Sequence, residues 1–305
     1  NVKMLDPYTL KGNHIDRLID NAYIKLVQRV PLAFGAVYGL GNLYRRLPFR
    51  SPVYFLNRKM VPVMERLLSE KQYDYVVMPH LYPAEILTYM KKHGYHVPKM
   101  LFIATDYTCI PFWEETDCDC YIVPQKDLLG ELIHKGLPKK QLFPLGIPVK
   151  QAFSTQKKRS LARKLCRLPS DAHVYLVMSG SMGFGKVNLL VAELIRKLEA
   201  DEYVVVICGN NRRLRQILQT TFGKNPQVRI LGFTDHVPAY MDASDVIFSK
   251  PGGLTSTEAA VRQIALVHTS PIPGCETKNL AFFTSHGMSV TARTVHGQVT
   301  LGRRL

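Results

Sequence analysis

Acidic residues are scarce in this chain. Only 24 Asp and Glu stand against 40 Lys and Arg over 305 residues, a formal charge of +16. A surplus of that size points to a polyanionic partner: nucleic acid, an anionic membrane or phosphorylated ligands. Long apolar runs are missing too. No stretch approaches the roughly 20 residues that a bilayer-spanning helix needs, which excludes one in this sequence. Cysteine is sparse, with six residues, several inside apolar strand-like runs. That excludes a disulfide-dense scaffold and favours a reducing compartment. Cys109, Cys118 and Cys120 lie close together, but without the CxxC spacing or fourth ligand of a zinc site. Tryptophan occurs once, at Trp113.

Two nucleotide motifs are also lacking. Gly180 to Lys186 has the spacing of a P-loop, yet Val187 stands where a magnesium-binding hydroxyl is required. The glycines here run G-x-x-G-x-G rather than G-x-G-x-x-G. An ATPase and a dehydrogenase are both disfavoured. No nucleic-acid-binding motif with a stacking platform is visible, which argues against an RNA or DNA partner.

What is present is a regular alternation. Strand-like runs at Val2–Leu5, Tyr73–Met78, Met100–Thr105, Cys120–Val123, Val174–Met178, Tyr203–Cys208, Val228–Leu231, Asp245–Ser249 and Ala265–Thr269 alternate with helical stretches. Strands apolar on both faces that alternate with helices argue for parallel sheets covered on both sides. The first series ends near Leu145 and the second begins near His173. Pro144–Pro148, then a basic stretch to Pro169, mark the boundary. The fold class expected is α/β: two Rossmann-like domains, 1–149 and 150–305, with parallel sheets facing across a cleft. Ligands of such sheets bind beyond the carboxyl ends of the strands.

The basic charge is uneven. Residues 17–66 carry nine basic and two acidic side chains, and residues 150–167 carry seven basic and none acidic. Around helix-like Tyr23–Val30 and Val53–Leu68, apolar and aromatic residues, Phe49 among them, interleave with Arg45, Arg46, Arg50, Arg58 and Lys59. An interfacial membrane helix needs an apolar face with cationic flanks. A helical insertion packed on its own domain has the same composition, and both readings stay open.

Four segments carry candidate chemistry. Ser179–Lys186 follows a strand and precedes a helix. Its glycines allow close backbone approach, and the helix start offers N–H groups to a phosphate. Lys250–Ala259 repeats that arrangement, with Thr255 or Ser256 as a candidate helix cap and Glu258 in the first turn, suited to a ribose diol. In Pro271–Asn279, Glu276 and Asn279 share one helix face, an acid and an amide suited to sugar hydroxyls. Ala104–Trp113 ends a first-domain strand, with Asp106 as a candidate base and Phe112 and Trp113 as acceptor contacts.

Together the Ser179–Gly185, Lys250–Glu258 and Pro271–Asn279 segments resemble the lipid-sugar glycosyltransferases of the MGDG synthase type, which include processive diacylglycerol glucosyltransferases. The resemblance covers most of the chain. It implies a GT-B fold and inverting transfer of glucose or galactose from UDP-glucose or UDP-galactose to diacylglycerol. It implies a peripheral enzyme on the cytoplasmic face of the cell membrane. The donor site it implies comprises Gly180, Ser181, Met182, Gly183, Phe233, Gly252, Gly253, Leu254, Thr255, Glu258, Glu276 and Asn279. Asp106 would serve catalysis, while Arg45, Arg46, Phe49, Arg50, Phe112 and Trp113 would face acceptor or anionic lipid. No DxD pair stands near the diphosphate loops, so neither a metal nor another cofactor is expected. Two alternatives remain: a UDP-GlcNAc-type transferase acting on a polyprenyl-linked carrier, and a non-catalytic UDP-sugar-binding remnant. The family's opening strand and its Gly-rich loop with a histidine have no counterpart here. The closing helices are expected to be absent beyond Val290, leaving Thr294–Leu305 as an unhelical basic tail.

Overall fold

A computed structural model describes residues 2–6, 31–45, 47–180 and 186–305. The expected helix Tyr23–Val30 lies outside these residues. The chain divides into two compact units, Asn1–Ile147 with Pro273–Cys275, and Pro148–Ile272 with Glu276–Leu305. The main division falls two residues before the expected position. Val2–Leu5 is not a strand: Val2 and Met4 are almost fully exposed and pair with nothing in either sheet.

The first unit contains α1 (Pro31–Tyr44), α2 (Pro52–Asn57), α3 (Val61–Glu70), β1 (Tyr75–Met78), α4 (Leu81–Lys92), β2 (Lys99–Ile103), β3 (Cys120–Ile122), α5 (Leu129–His134) and β4 (Leu142–Phe143). Its four strands are parallel in the order β1-β2-β3-β4. Helix α2 starts where it does because Ser51 Oγ accepts the Tyr54 N–H at 3.1 Å and Pro52 occupies the first position. Burial of Ala84, Ile86, Leu87 and Met90 fixes α4. The expectation of two covered faces fails at β1, where Tyr75 and Val77 are more than half exposed.

The second unit contains α6 (Gln151–Ser154), α7 (Arg159–Leu165), β5 (His173–Met178), α8 (Val187–Arg196), β6 (Glu202–Ile207), α9 (Arg212–Phe222), β7 (Val228–Leu231), α10 (Val237–Ala243), β8 (Val246–Ser249), α11 (Gly253–Val261), β9 (Ala265–His268), α12 (Cys275–Ser285), β10 (Val290–Thr291) and α13 (Val295–Gly302). Six parallel strands run in the order β10-β9-β8-β5-β6-β7. The chain lays β5, β6 and β7 outward in one direction, then returns to lay β8, β9 and β10 in the other. Such a sheet has its topological switch point between β5 and β8, where a crevice opens beyond the carboxyl ends. Tyr175, Val177, Val204, Val206, Val246, Phe248 and Val267 form the core with Leu190, Leu194 and Leu218 from the covering helices. Each such apolar side chain contributes on the order of 1.5–3 kcal/mol by leaving water.

The expectation of an unhelical basic tail is corrected by the structure. Residues 295–302 are helical, not a loose tail. Thr294 caps α13 by accepting the Gly297 N–H, Val299 joins the core, and Arg303 pairs with Glu199 and Glu202. A Cβ on Gly302 would collide with the Phe248 ring at 2.3 Å, so this glycine is what lets α13 lie against the sheet. The basic run 150–167 is partly spent within the fold. Arg159 and Arg163 each bond Asp245 at 2.8 Å, and Arg163 also donates to the Ala243 and Ser170 carbonyls.

Candidate functional site

The switch point of the second sheet determines which turns meet. β5 leads into Ser179 and Gly180, β8 into Lys250–Gly252, and β9, one strand further on, leads towards the start of α12. Ser179 is buried and its hydroxyl donates to the Ile207 carbonyl at 3.2 Å, anchoring the first turn to β6. Gly180 has φ +69°, a left-handed conformation that any side chain would strain. Ser181, Met182 and Gly183 lie outside the described residues.

After β8 the backbone turns sharply, with the Gly252 N–H donating to the Lys250 carbonyl at 2.8 Å. Gly252 is the N-cap of α11, and no side chain caps this helix. Thr255 and Ser256 therefore do not cap it, contrary to expectation, because both fall inside the helix. The first amides of α11 thus have no side-chain cap, and they lie at the positive end of a helix dipole. Glu258 lies in the second turn rather than the first. It is half-buried, and desolvation pushes its carboxyl up to about 7, with Lys150 opposing. Leu254 is exposed, as is Phe233 beyond β7.

Glu276, on the first turn of α12, is 5% exposed. Its Oε2 accepts the Ile272 N–H at 2.8 Å, and its Oε1 accepts from the Lys250 ammonium. Gly180 and Gly252 flank this ion pair. A Cβ on Gly180 would lie 3.0 Å from Lys250 Cε, and one on Gly252 would lie 4.0 Å from Glu276 Oε1. Three sequence-predicted residues, Gly180, Gly252 and Glu276, thus surround one cation. Lys250 was not among the candidates read from the sequence, although its place immediately before Pro251-Gly252-Gly253 was the signal.

Asn279 is placed differently from expectation. It is fully buried, and its Nδ2 donates to the Pro251 carbonyl at 3.0 Å. It holds the turn ahead of α11. A second brace escaped sequence reading. His268, at the end of β9, is fully buried between Ser256 Oγ on Nε2 and Ser289 Oγ on Nδ1, both at 2.9 Å. Burial lowers its pKa to about 4, so the ring is neutral, with one nitrogen donating and the other accepting. Nothing in the sequence distinguishes this histidine from one facing solvent.

In the first unit, Asp106 follows the carboxyl end of β2 and is half-buried. Trp113 is 2% exposed, its ring edge-on to Phe102 at 5.0 Å. It anchors the domain core and is not available to lipid, a correction that follows from burial. Arg45 is likewise unavailable, with a side chain 5% exposed and paired through Nε and Nη2 with Glu114. Arg46 lies outside the described residues. Arg50 donates to the Glu115 carbonyl at 2.8 Å and lies over the Tyr54 ring. Phe112 is half-buried against Tyr44, whereas Phe49 is 69% exposed. Leu40, Leu43, Leu47, Phe55 and Leu56 are exposed with it.

Comparison with known proteins adds to this geometry. Residues 1–149 match the monogalactosyldiacylglycerol (MGDG) synthase family, and residues 174–272 match the glycosyltransferase family 28 C-terminal domain. The chain is similar to the processive diacylglycerol beta-glucosyltransferase of Staphylococcus carnosus, at 26% identity over 77% of this chain and 60% of that protein. It is similar to the enzyme of the same name from Staphylococcus saprophyticus at 28% identity, over 83% and 65% respectively. The chain therefore spans less than two thirds of the length of these relatives. Among solved structures, it shares its two-domain GT-B-like fold with Acinetobacter baumannii MurG (TM-score 0.55, 16% identity, 82% of this chain and 70% of that one). It shares it also with an S. aureus MnaA–UDP complex (TM-score 0.60, 11% identity, 84% and 73%).

Proposed function

Since the chain belongs to the MGDG-synthase type of family 28 glycosyltransferases, we propose that it transfers a hexose from a UDP-sugar to diacylglycerol with inversion. The observation that carries this reading is the uncapped start of α11 beside Lys250 at the switch point. A diphosphate needs N–H donors and positive charge in one place, and this turn supplies both. The Gly180 turn approaches from β5, and the Glu258 carboxylate is suited to accept both hydroxyls of a ribose.

In the reaction, a diacylglycerol hydroxyl attacks the anomeric carbon from the side opposite UDP. The sugar ring gains positive character as the bond to UDP breaks. The α11 amides and nearby positive charge stabilise the negative charge that develops on the departing diphosphate. Protein groups carry this role in the proposal, with no metal assigned to it, so EDTA should leave UDP binding unchanged in calorimetry. Asp106 is assigned the proton of the attacking hydroxyl. UDP-glucose and UDP-galactose are the candidate donors.

Association with an anionic membrane surface is the second part of the proposal. The attachment proposed is peripheral, on the cytoplasmic face; no helix among the described residues is long and apolar enough to cross a membrane. Phe49 and its exposed apolar neighbours, with exposed Arg58 and Lys59 close in sequence, supply the surface.

The test is turnover of UDP-glucose and UDP-galactose in diacylglycerol-containing vesicles, alongside thermal melting with UDP. UDP should raise the melting temperature, and Glu258→Ala should remove most of the shift. A chain whose melting UDP leaves unmoved has no donor site of this kind.

A further inference from the structure

The ion pair between Lys250 and Glu276 sits in the middle of the proposed donor site, not at its edge. Gly180 and Gly252 approach it from two strands, and the open end of α11 begins three residues after Lys250. Glu276 Oε2 is held by the Ile272 amide and Oε1 by Lys250, so a sugar hydroxyl that reaches Oε1 shares it with the ammonium. The ammonium is engaged by Glu276, so a phosphate that reaches it competes with that carboxylate. The site as it stands is neutralised from within.

A fixed salt bridge and an exchangeable one differ in construction. Glu276 is rigidly placed: it is buried, on a helix, and tied by a backbone N–H. Lys250 is a point charge on a flexible four-carbon stem, and its side chain keeps 21% of its exposure. The glycines leave space beside that stem. A side chain at position 180 would press on Lys250 Cε at 3.0 Å and restrict its swing. The partner able to move is therefore the cation.

We propose that Lys250 is the cation that receives the donor's diphosphate and that Glu276 holds it until then. Arrival of the diphosphate draws the ammonium away and frees Glu276 Oε1 to accept a hydroxyl of the donor hexose. The inference rests on the donor-site reading and adds an order of events: phosphate first, sugar recognition second. A diphosphate carries more negative charge than one carboxylate, so the exchange runs towards the ligand. Free UDP would release Glu276 with no sugar to take its place, leaving a buried carboxylate unpaired. A UDP-hexose fills that vacancy.

Calorimetric titration of the 305-residue chain with UDP and with UDP-glucose tests this. Lys250→Met should weaken both about tenfold or more, the loss of a charge-assisted contact. Glu276→Gln should do the opposite to UDP. The glutamine keeps an oxygen for the Ile272 amide but no longer holds the ammonium, so UDP should bind about threefold to tenfold tighter. The same variant should lose the advantage that UDP-glucose has over UDP. In the double variant, the tightening caused by Glu276→Gln should vanish, because no ammonium remains to be released. That comparison is independent of any general loosening of the fold, which melting of each ligand-free variant would register. Weaker or unchanged UDP binding by Glu276→Gln overturns the exchange while leaving the donor site in place. No UDP binding by the unaltered chain overturns the donor-site reading itself.

Discussion

Glu258 is the residue at which protonation and ligand recognition meet. Its carboxyl titrates near 7 because burial disfavours the charge. Below that pH it is a neutral acid with one good acceptor, and above it is a carboxylate able to accept both ribose hydroxyls. UDP-glucose affinity should rise as pH passes from about 6 to about 8, and Glu258→Gln should flatten the profile. UDP-glucose is the right probe because the terminal phosphate of free UDP titrates in the same range. A second buried carboxyl acts on stability instead. Glu85 on α4 is fully buried, accepts from Asn57 Nδ2, and leaves Oε1 without a partner. Desolvation raises it to about 8, with the Asn57 bond opposing. The folded chain thus holds a proton that the unfolded chain releases near 4.5. Stability from this group is complete below 4.5 and is lost as pH rises to about 8, at up to about 1.4 kcal/mol per pH unit. Urea denaturation of the parent and of Glu85→Gln at pH 5 and pH 9 measures the effect. The variant should gain relative stability at the higher pH.

At the scale of elements, the proposed donor turns are braced by buried polar side chains. Asn279 on α12 fixes the Pro251 carbonyl, and His268 ties Ser256 on α11 to Ser289. Replacing His268 by Ala leaves two buried hydroxyls unpartnered, at a cost of about 1–3 kcal/mol each at most. It should lower the melting temperature and weaken UDP-glucose binding together, whereas Phe233→Ala on the surface should not affect melting. These elements also show what the sequence can and cannot convey. Valine-rich runs between helical stretches identify β5, β6 and β8 because strands buried on both faces can contain little else. The two-residue strands β4 and β10 carry no period and leave no trace. Gly180, Gly252 and Glu276 could be singled out as candidates, since glycine before a helix start has few structural reasons, and the structure places all three around Lys250. The inward turn of Trp113 and Asn279 was not legible, because an aromatic or an amide has the same letter whether it packs or binds. The helix over Val295–Gly302 was hidden by its weak apolar pattern and its basic end.

At the scale of the whole molecule, the +16 charge separates into parts with different work. Arg159, Arg163 and Arg303 neutralise acids within the second unit, and Arg45 does so in the first. These cations add to net charge but not to a lipid-binding surface. Exposed cations in the same stretch as Phe49, Phe55 and Leu56, among them Arg58 and Lys59, are the candidates for that surface. Attraction of such cations to anionic headgroups is worth about 1 kcal/mol each and is screened within a Debye length of about 8 Å at physiological salt. Insertion of the apolar side chains adds a salt-independent part, at about 25 cal/mol per Å² removed from water. Binding to vesicles rich in phosphatidylglycerol should therefore weaken with added salt without vanishing. Phe49→Asp should remove much of the salt-resistant remainder, and Arg58→Glu with Lys59→Glu should remove the salt-sensitive part. Sedimentation with vesicles at two salt concentrations separates the two contributions. UDP-induced melting shifts, measured on the same variants, should be unchanged, because the donor turns lie in the other unit. Equal binding to neutral and anionic vesicles would show that the charge excess has no role at the membrane.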